Sequence, residues 1–292
     1  ESNDSGSNGN DNTQESDPSE SSTPETTPES STPETTPEST PKFSCTPNDD
    51  GEITVKELPF VAGHSLRYQS YGSKTSPITV DLKGKFFNDK TKPNEWDFRT
   101  LKGTPTNVSK DILAYKGQWF EGIVKDPIPQ FAQILNQKDP VTQETTVAAY
   151  NPTPFALQML GWFSQTKEQV RVTYNQPVTF MLFPLKEGLK WINRPQATGT
   201  LDQKQTVLYK ADESYRFEID DSGVLKLPQK SYKVLRLRRD ITVTQSLPTT
   251  QNRTWIEYHF ISECHGIVAK VRSLPNATKL FTQAARVQLL LP

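Results

Sequence analysis

From Phe43 to Pro292 the sequence runs with a period of two. The segments "SLRYQSYG" (65–72), "ITVDLKGKFF" (78–87) and "EQVRVTYNQPVTFMLF" (168–183) alternate apolar with polar residues. So do "TVLYKA" (206–211), "SYRFEID" (214–220), "VLRLRRDITVTQS" (234–246), "RTWIEYHFIS" (253–262), "GIVAKVRS" (266–273) and "ARVQLLLP" (285–292). Successive side chains of an extended backbone point to opposite faces, so each segment offers one apolar face for burial. In "VLRLRRDITVT" Val234, Leu235, Leu237, Ile241 and Val243 are expected to face a core, with Arg236, Arg238, Asp240, Thr242 and Thr244 outward. The phase slips at Arg238-Arg239, which predicts a bulge there. In "WIEYHFIS" the same periodicity puts Trp255, Glu257 and His259 on one face.

Turn residues punctuate these segments. "DDSG" (220–223) reads as a hairpin turn, and "LPTTQN" (247–252) separates two strands by a loop of hairpin length. Only "PIPQFAQILNQK" (127–138) looks helical, with Pro at its start and Phe131, Ile134 and Leu135 on one face. "ETTVAAYNPTPFALQMLGWF" (144–163) fits either strand or helix. The expected fold is mostly β: a twisted antiparallel sheet, flat or curled into an open or half barrel, with one short helix near 127–138.

Residues 1–42 are of another kind. A nine-residue unit, Ser-Thr-Pro-Glu-Thr-Thr-Pro-Glu-Ser, occurs twice in succession from Ser22 to Ser39. The whole stretch has no aromatic residue, no Cys and no Leu, Ile, Val or Met. With nothing apolar to bury, it cannot offset its ordering entropy. Its prolines and like charges favour extended geometry, so it reads as a disordered acidic spacer ahead of a single β domain spanning 43–292. A peptide motif recognised by a partner is the alternative reading.

The spacer also masks the charge of the body. The chain has 33 basic and 34 acidic residues; ten of the acids and one Lys lie in 1–42, so 43–292 keeps 32 basic and 24 acidic residues, a net of +8. No zinc-finger spacing or ribonucleoprotein signature accompanies these scattered cations, which argues against nucleic-acid binding. A mild preference for anionic surfaces is the simpler inference. The two cysteines, Cys45 and Cys264, flank the body. In an exported protein they are expected to pair, tying the start of the domain to a late strand; two unrelated thiols are the alternative.

Three motifs carry a resemblance. "LFPLKEGLKW" holds Pro184, Leu185, Lys186, Gly188 and Trp191; a Gly-x-Leu-x-Leu-Pro step follows at Gly223, Leu225, Leu227 and Pro228. That step leads into Val234, Leu235 and Arg236, and Tyr258, Phe260, Gly266, Ile267 and Val268 close the pattern. In order and spacing this resembles a family of bacterial exported, outer-membrane lipoproteins of uncharacterised function. The resemblance implies a twisted antiparallel sheet, attachment through a lipidated Cys upstream of Glu1 as the sole membrane contact, and a periplasmic or cell-surface location. The acidic repeat would then be the tether.

Catalytic motifs are missing from the sequence. There is no Gly-x-Ser-x-Gly elbow, no His-Glu-x-x-His and no phosphate-binding Gly-rich loop, and the three histidines, His64, His259 and His265, have no metal-ligand spacing with the cysteines. No catalytic residue, metal ligand or cofactor is therefore assigned. The aromatics are either core filling or the lining of a ligand site; the candidate lining residues are Trp96, Trp119, Phe155, Trp162, Phe180 and Trp191. The functional expectation is a stalk-displayed domain that binds an envelope or extracellular partner protein or serves a structural surface role. Its rivals are a half-barrel carrier of a lipid or other hydrophobic ligand, and a hydrolase with a loop-borne site.

Overall fold

The computed structural model describes residues 43–89, 91–118, 120–124, 131–135, 146–164, 170–201 and 206–292; the side chains of 131–135, 146, 164 and 201 are left aside. The 1–42 spacer, Trp119, and 127–130 and 136–138 of the expected helix lie outside the described residues. Among the described residues the only helix is a 3-10 turn at Val55–Glu57.

The strands are β1 (Ser65–Tyr71), β2 (Ile78–Thr79), β3 (Asn94–Asp97), β4 (Thr106–Ala114), β5 (Phe131–Leu135), β6 (Thr146–Pro152), β7 (Ala156–Ser164) and β8 (Val170–Leu182). They continue with β9 (Lys190–Asn193), β10 (Gln196–Leu201), β11 (Thr206–Lys226), β12 (Ser231–Leu247), β13 (Gln251–Ser262), β14 (Gly266–Ser273) and β15 (Gln283–Leu290). Thirteen of them form one large antiparallel sheet in the order β1-β4-β5-β6-β7-β8-β10-β11-β12-β13-β14-β15-β2, and β3 (parallel) and β9 (antiparallel) pair with β11 off this path. β1 also pairs with β15, from Tyr68↔Leu290 to Tyr71↔Val287, and the sheet is open rather than closed into a barrel.

Period two therefore decided the fold class as expected, but several local expectations are corrected. The helix expected over 127–138 is replaced, where it is described, by β5, which pairs with β4 and β6. Phe131, Ile134 and Leu135 suit one helical turn, yet five residues gain little as an isolated helix and a full ladder on both edges as a strand. "ETTVAAYNPTPFALQMLGWF" resolves into the β6–β7 hairpin. In "ITVDLKGKFF" only Ile78 and Thr79 are strand; Val80 and Leu82 are buried in an irregular segment.

"DDSG" is not a turn. Asp220–Gly223 lies inside β11, a strand of 21 residues, and the hairpin turns instead at 227–230, where the Leu227 N–H donates to the Lys230 carbonyl (3.0 Å). Gly223 is there because β3 runs parallel to β11 directly against it: a Cβ on Gly223 would collide with the Asn94 backbone. The bulge predicted at Arg238-Arg239 sits on the partner strand, where Asp220 is skipped between the pairs Ile219↔Leu237 and Asp221↔Arg236.

The largest correction concerns the outward face of β12. Val234 to Arg239 are all buried, including Arg236 at 1% exposure. On one face Leu235, Leu237 and Ile241 join Val172, Met181, Phe217 and Ile219. The opposite face is covered by the segment around β2 and β3, whose Val80, Leu82, Trp96 and Phe98 pack on Tyr258, Phe260 and Val271. Arg236 is sandwiched in that second layer, 5.0 and 5.1 Å from the Trp96 and Tyr258 ring centroids. Its Nε donates to Asp220 (2.8 Å), and its Nη1 donates to the Leu82 carbonyl.

The expected disulfide is present. Cys45 and Cys264 are bonded, with their Cα atoms 5.4 Å apart. Cys264 occupies the β13–β14 turn in the left-handed region (φ 62°), and its N–H donates to the Glu57 carbonyl (2.8 Å). Glu263 in the same turn accepts from the N–H groups of Asn48 (2.9 Å) and Asp49 (3.1 Å), so the chain's entry into the domain is pinned at several points.

Candidate functional site: a cationic cavity on the sheet

Trp255, Glu257 and His259 share one face of β13, as their spacing predicts, and that face carries a cluster of buried charge. Register builds the group. Across the β12–β13 ladder Arg239 stands opposite Glu257, and across β13–β14 Arg272 does, with Lys270 opposite His259. Directly opposed residues on neighbouring strands have Cβ atoms within about 5.5 Å, so three cationic side chains and a histidine converge on one carboxylate. Glu257 accepts from Arg239 Nη1 (3.0 Å), Trp255 Nε1 (3.2 Å) and His259 Nε2 (3.2 Å); Lys270 Nζ lies at 3.1 Å and Arg272 Nε at 3.9 Å.

Electrostatics fixes the protonation states. Burial alone would raise the Glu257 pKa, but Lys270, Arg239 and the His259 hydrogen bond together outweigh it and hold the carboxyl well below its ordinary value. Burial lowers the His259 pKa to about 3, against the opposing pull of Glu257. The imidazole is neutral at physiological pH, and because Nε2 must carry the hydrogen that meets the carboxylate, Nδ1 is an acceptor. That Nδ1 and the Nε of Arg239 are buried and have no hydrogen-bond partner among the described residues.

These groups open onto a cavity of about 260 Å³. Its polar wall is Lys110 from β4, Arg239, His259, Lys270, Arg272, and Arg286 and Gln288 from β15; its apolar wall is Ala148, Tyr150, Met159, Phe180 and Ile267. Five of the lining residues are basic and none is acidic; Glu257 touches the group from within the wall. Lys110 lies over the Tyr68 ring (4.5 Å), and burial, followed by repulsion from Lys270, lowers its pKa to about 7. Burial likewise lowers the Lys270 pKa, with Glu257 opposing. Arg239 lies 4.8 Å from the Phe180 ring centroid, and Tyr150 meets Phe180 edge-on at 6.0 Å.

Of the candidate lining aromatics, Phe180 lines this cavity. Trp96 is fully buried in the covering layer, donating to the Leu82 carbonyl (3.1 Å). Trp191 stacks on Phe217 at 4.8 Å and Trp162 packs edge-on to Tyr209 at 6.5 Å. Phe155 is 74% exposed between β6 and β7. Phe180, Trp162 and Trp191 belong to one hydrophobic cluster, and Trp96 belongs to another. Periodicity places Trp255, Glu257 and His259 together but treats Arg239 as a phase slip, and it gives no sign of Lys110 or Lys270. In fact Arg239 is in phase with Leu235, Leu237, Ile241 and Val243, and a charge in phase with an apolar face was the available signal.

A larger groove of about 460 Å³ lies beside the disulfide, lined in part by Ile53, Tyr232 and Val234. Its polar groups are already engaged: His265 bonds the Glu263 carbonyl (2.8 Å) and Lys230 (3.2 Å), and Lys233 pairs with Asp49 (2.7 Å). The cavity with orphaned polar atoms is the better candidate site. Compared with protein-family models, with curated proteins and with solved structures, the chain matches none.

Proposed function

We propose that residues 43–292 are an exported, envelope-attached binding domain held on the acidic 1–42 spacer, and that it takes a small ligand into the β-sheet cavity. The orphaned His259 Nδ1 and Arg239 Nε carry this reading: buried polar atoms are nearly always satisfied, and both belong to residues that form the cavity wall. The Cys45–Cys264 disulfide favours an oxidising compartment. The lipoprotein resemblance and the spacer's composition favour tethering, with the lipid upstream of Glu1. A lipid-sized ligand is disfavoured by the cavity's volume and by its basic wall. A partner protein docking on the outer surface has no comparable observation behind it.

Native mass spectrometry of the full chain, purified from its own envelope fraction without denaturant, tests this. A one-to-one small-molecule adduct, diminished by Phe180→Trp, which fills the cavity, is the expected result. Adduct-free protein under all gentle conditions, with no probe molecule perturbing the NMR signals of cavity residues, would overturn it.

A further inference from the structure

Resting on that reading, we infer that the cavity's ligand is a small organic anion, such as a carboxylate, whose charge is met by Lys110, Lys270 and Arg239 and whose apolar body lies against Tyr150, Met159 and Phe180. Three observations converge on this. First, the wall is unbalanced: Lys110, Arg239 and Lys270 line the cavity with no acidic residue among the described lining, and the Glu257 carboxylate behind the wall is shared by Arg239, Lys270 and Arg272. Arg239 is buried and its neighbours are partly desolvated, so a neutral guest would leave the imbalance as it is and an anion would relieve it.

Second, Lys110 has no ion-pair partner among the described residues. It reaches the cavity from β4, across from β13 and β14, and faces Lys270, Arg239, Arg272, Arg286, Glu257, neutral His259 and the Tyr68 ring. Glu257 already accepts from Arg239 and His259 and contacts Lys270. Burial and Lys270 together lower the affinity of Lys110 for its proton, which a bound anion would restore. Third, the other wall is apolar and aromatic, which suits an organic body better than bare phosphate. The volume of about 260 Å³ matches roughly nine liquid waters, hence a guest on the order of ten non-hydrogen atoms. His259 Nδ1, an acceptor, would welcome a hydroxyl on that guest.

Calorimetric titration of the full chain at pH 6.5 with four probes tests the inference: phenylacetate, 4-hydroxyphenylacetate, phenylacetamide and inorganic phosphate. Saturable one-to-one binding of both carboxylates is expected, tightest for the hydroxylated one, with phenylacetamide and phosphate at least tenfold weaker. Lys110→Met should weaken the carboxylates tenfold or more while leaving the melting temperature equal to or above that of the parent, since a desolvated charge has been removed. Lys110→Gln serves the same purpose should the Met variant misfold. Phenylacetamide binding as tightly as phenylacetate would overturn the anion assignment and leave the binding reading standing. Phosphate binding tighter than phenylacetate would overturn the organic body. Affinity for carboxylates unchanged in both Lys110 variants would overturn the site, and no binding of any probe would overturn both readings.

Discussion

Arg236 and Asp220 form an ion pair inside the covering layer of the sheet, Nε to Oδ1 2.8 Å, with side chains 1% and 8% exposed. Asp220 is the bulged residue of β11, so the bulge that shifts the ladder also turns this carboxylate toward the strand opposite. Asp221 Oδ2 lies 3.6 Å from the same guanidinium and accepts from Asn94 Nδ2 (2.8 Å), which ties β3 to the pair.

Arg236→Ala should accordingly destabilise the domain by about 3–5 kcal/mol, since it strands buried carboxylates and removes the cation between Trp96 and Tyr258. Burial already raises the Asp220 pKa against the pull of Arg236, so the variant should lose more stability above neutrality than at pH 5, where Asp220 can protonate. Urea unfolding at both pH values reads this. A loss under 1 kcal/mol would show that the pair contributes little.

Gly223→Ala should displace β3. A methyl group there meets the Asn94 backbone and not a flexible side chain, so the parallel β3–β11 pairing has to yield. Destabilisation of about 2 kcal/mol or more is expected, with faster hydrogen exchange confined to 80–98. Unchanged exchange in that segment would refute the close approach.

Reducing the Cys45–Cys264 bond, or replacing both residues by Ser, should lower stability by about 5 kcal/mol at most on the chain-entropy account, because the bond closes a span of 219 residues. The cavity wall should survive reduction, since none of its residues belongs to the 43–58 segment. Non-reducing peptide mapping and equilibrium unfolding with and without reductant check both statements.

The buried groups make stability rise with pH on both the acid and the alkaline side. His259 is depressed to about 3 in the fold and titrates near 6.5 when unfolded. The unfolded chain takes up that proton first, so stability falls as pH drops from 6.5 toward 3. Glu257, held well below its ordinary value, contributes stability above about pH 4.3 that is lost only as pH falls further. His259→Gln, which keeps a donor for Glu257, should flatten the pH 6.5–4.5 part of the curve.

Lys110 acts on the alkaline side. Its folded pKa of about 7 lies below the unfolded value near 10.4, so its charge is a burden below pH 7 that lifts as pH rises from about 7 to about 10. Lys270, lowered in the same sense, contributes in the same direction. The parent should gain stability over that interval relative to Lys110→Met; parallel curves for the two proteins would remove the buried charge from consideration.

Local alternation by itself determined that this chain forms antiparallel strands, because a period of two can bury an apolar face only in extended backbone. It also placed Trp255, Glu257 and His259 together, and with two cysteines in the chain a disulfide could only be Cys45–Cys264. It left open which faces would be covered. Arg236 looked solvent-facing because its neighbours on β12 alternate correctly, and only the arrival of β3, some 140 residues earlier in the chain, buried it. Tertiary register likewise decided the cavity: Lys110, Arg239, Glu257 and Lys270 come from four strands, and no short-range pattern records which residues of distant strands lie opposite one another. Periodicity is a property of neighbours in sequence, whereas burying a charge beside its partner is settled only when the strands pair.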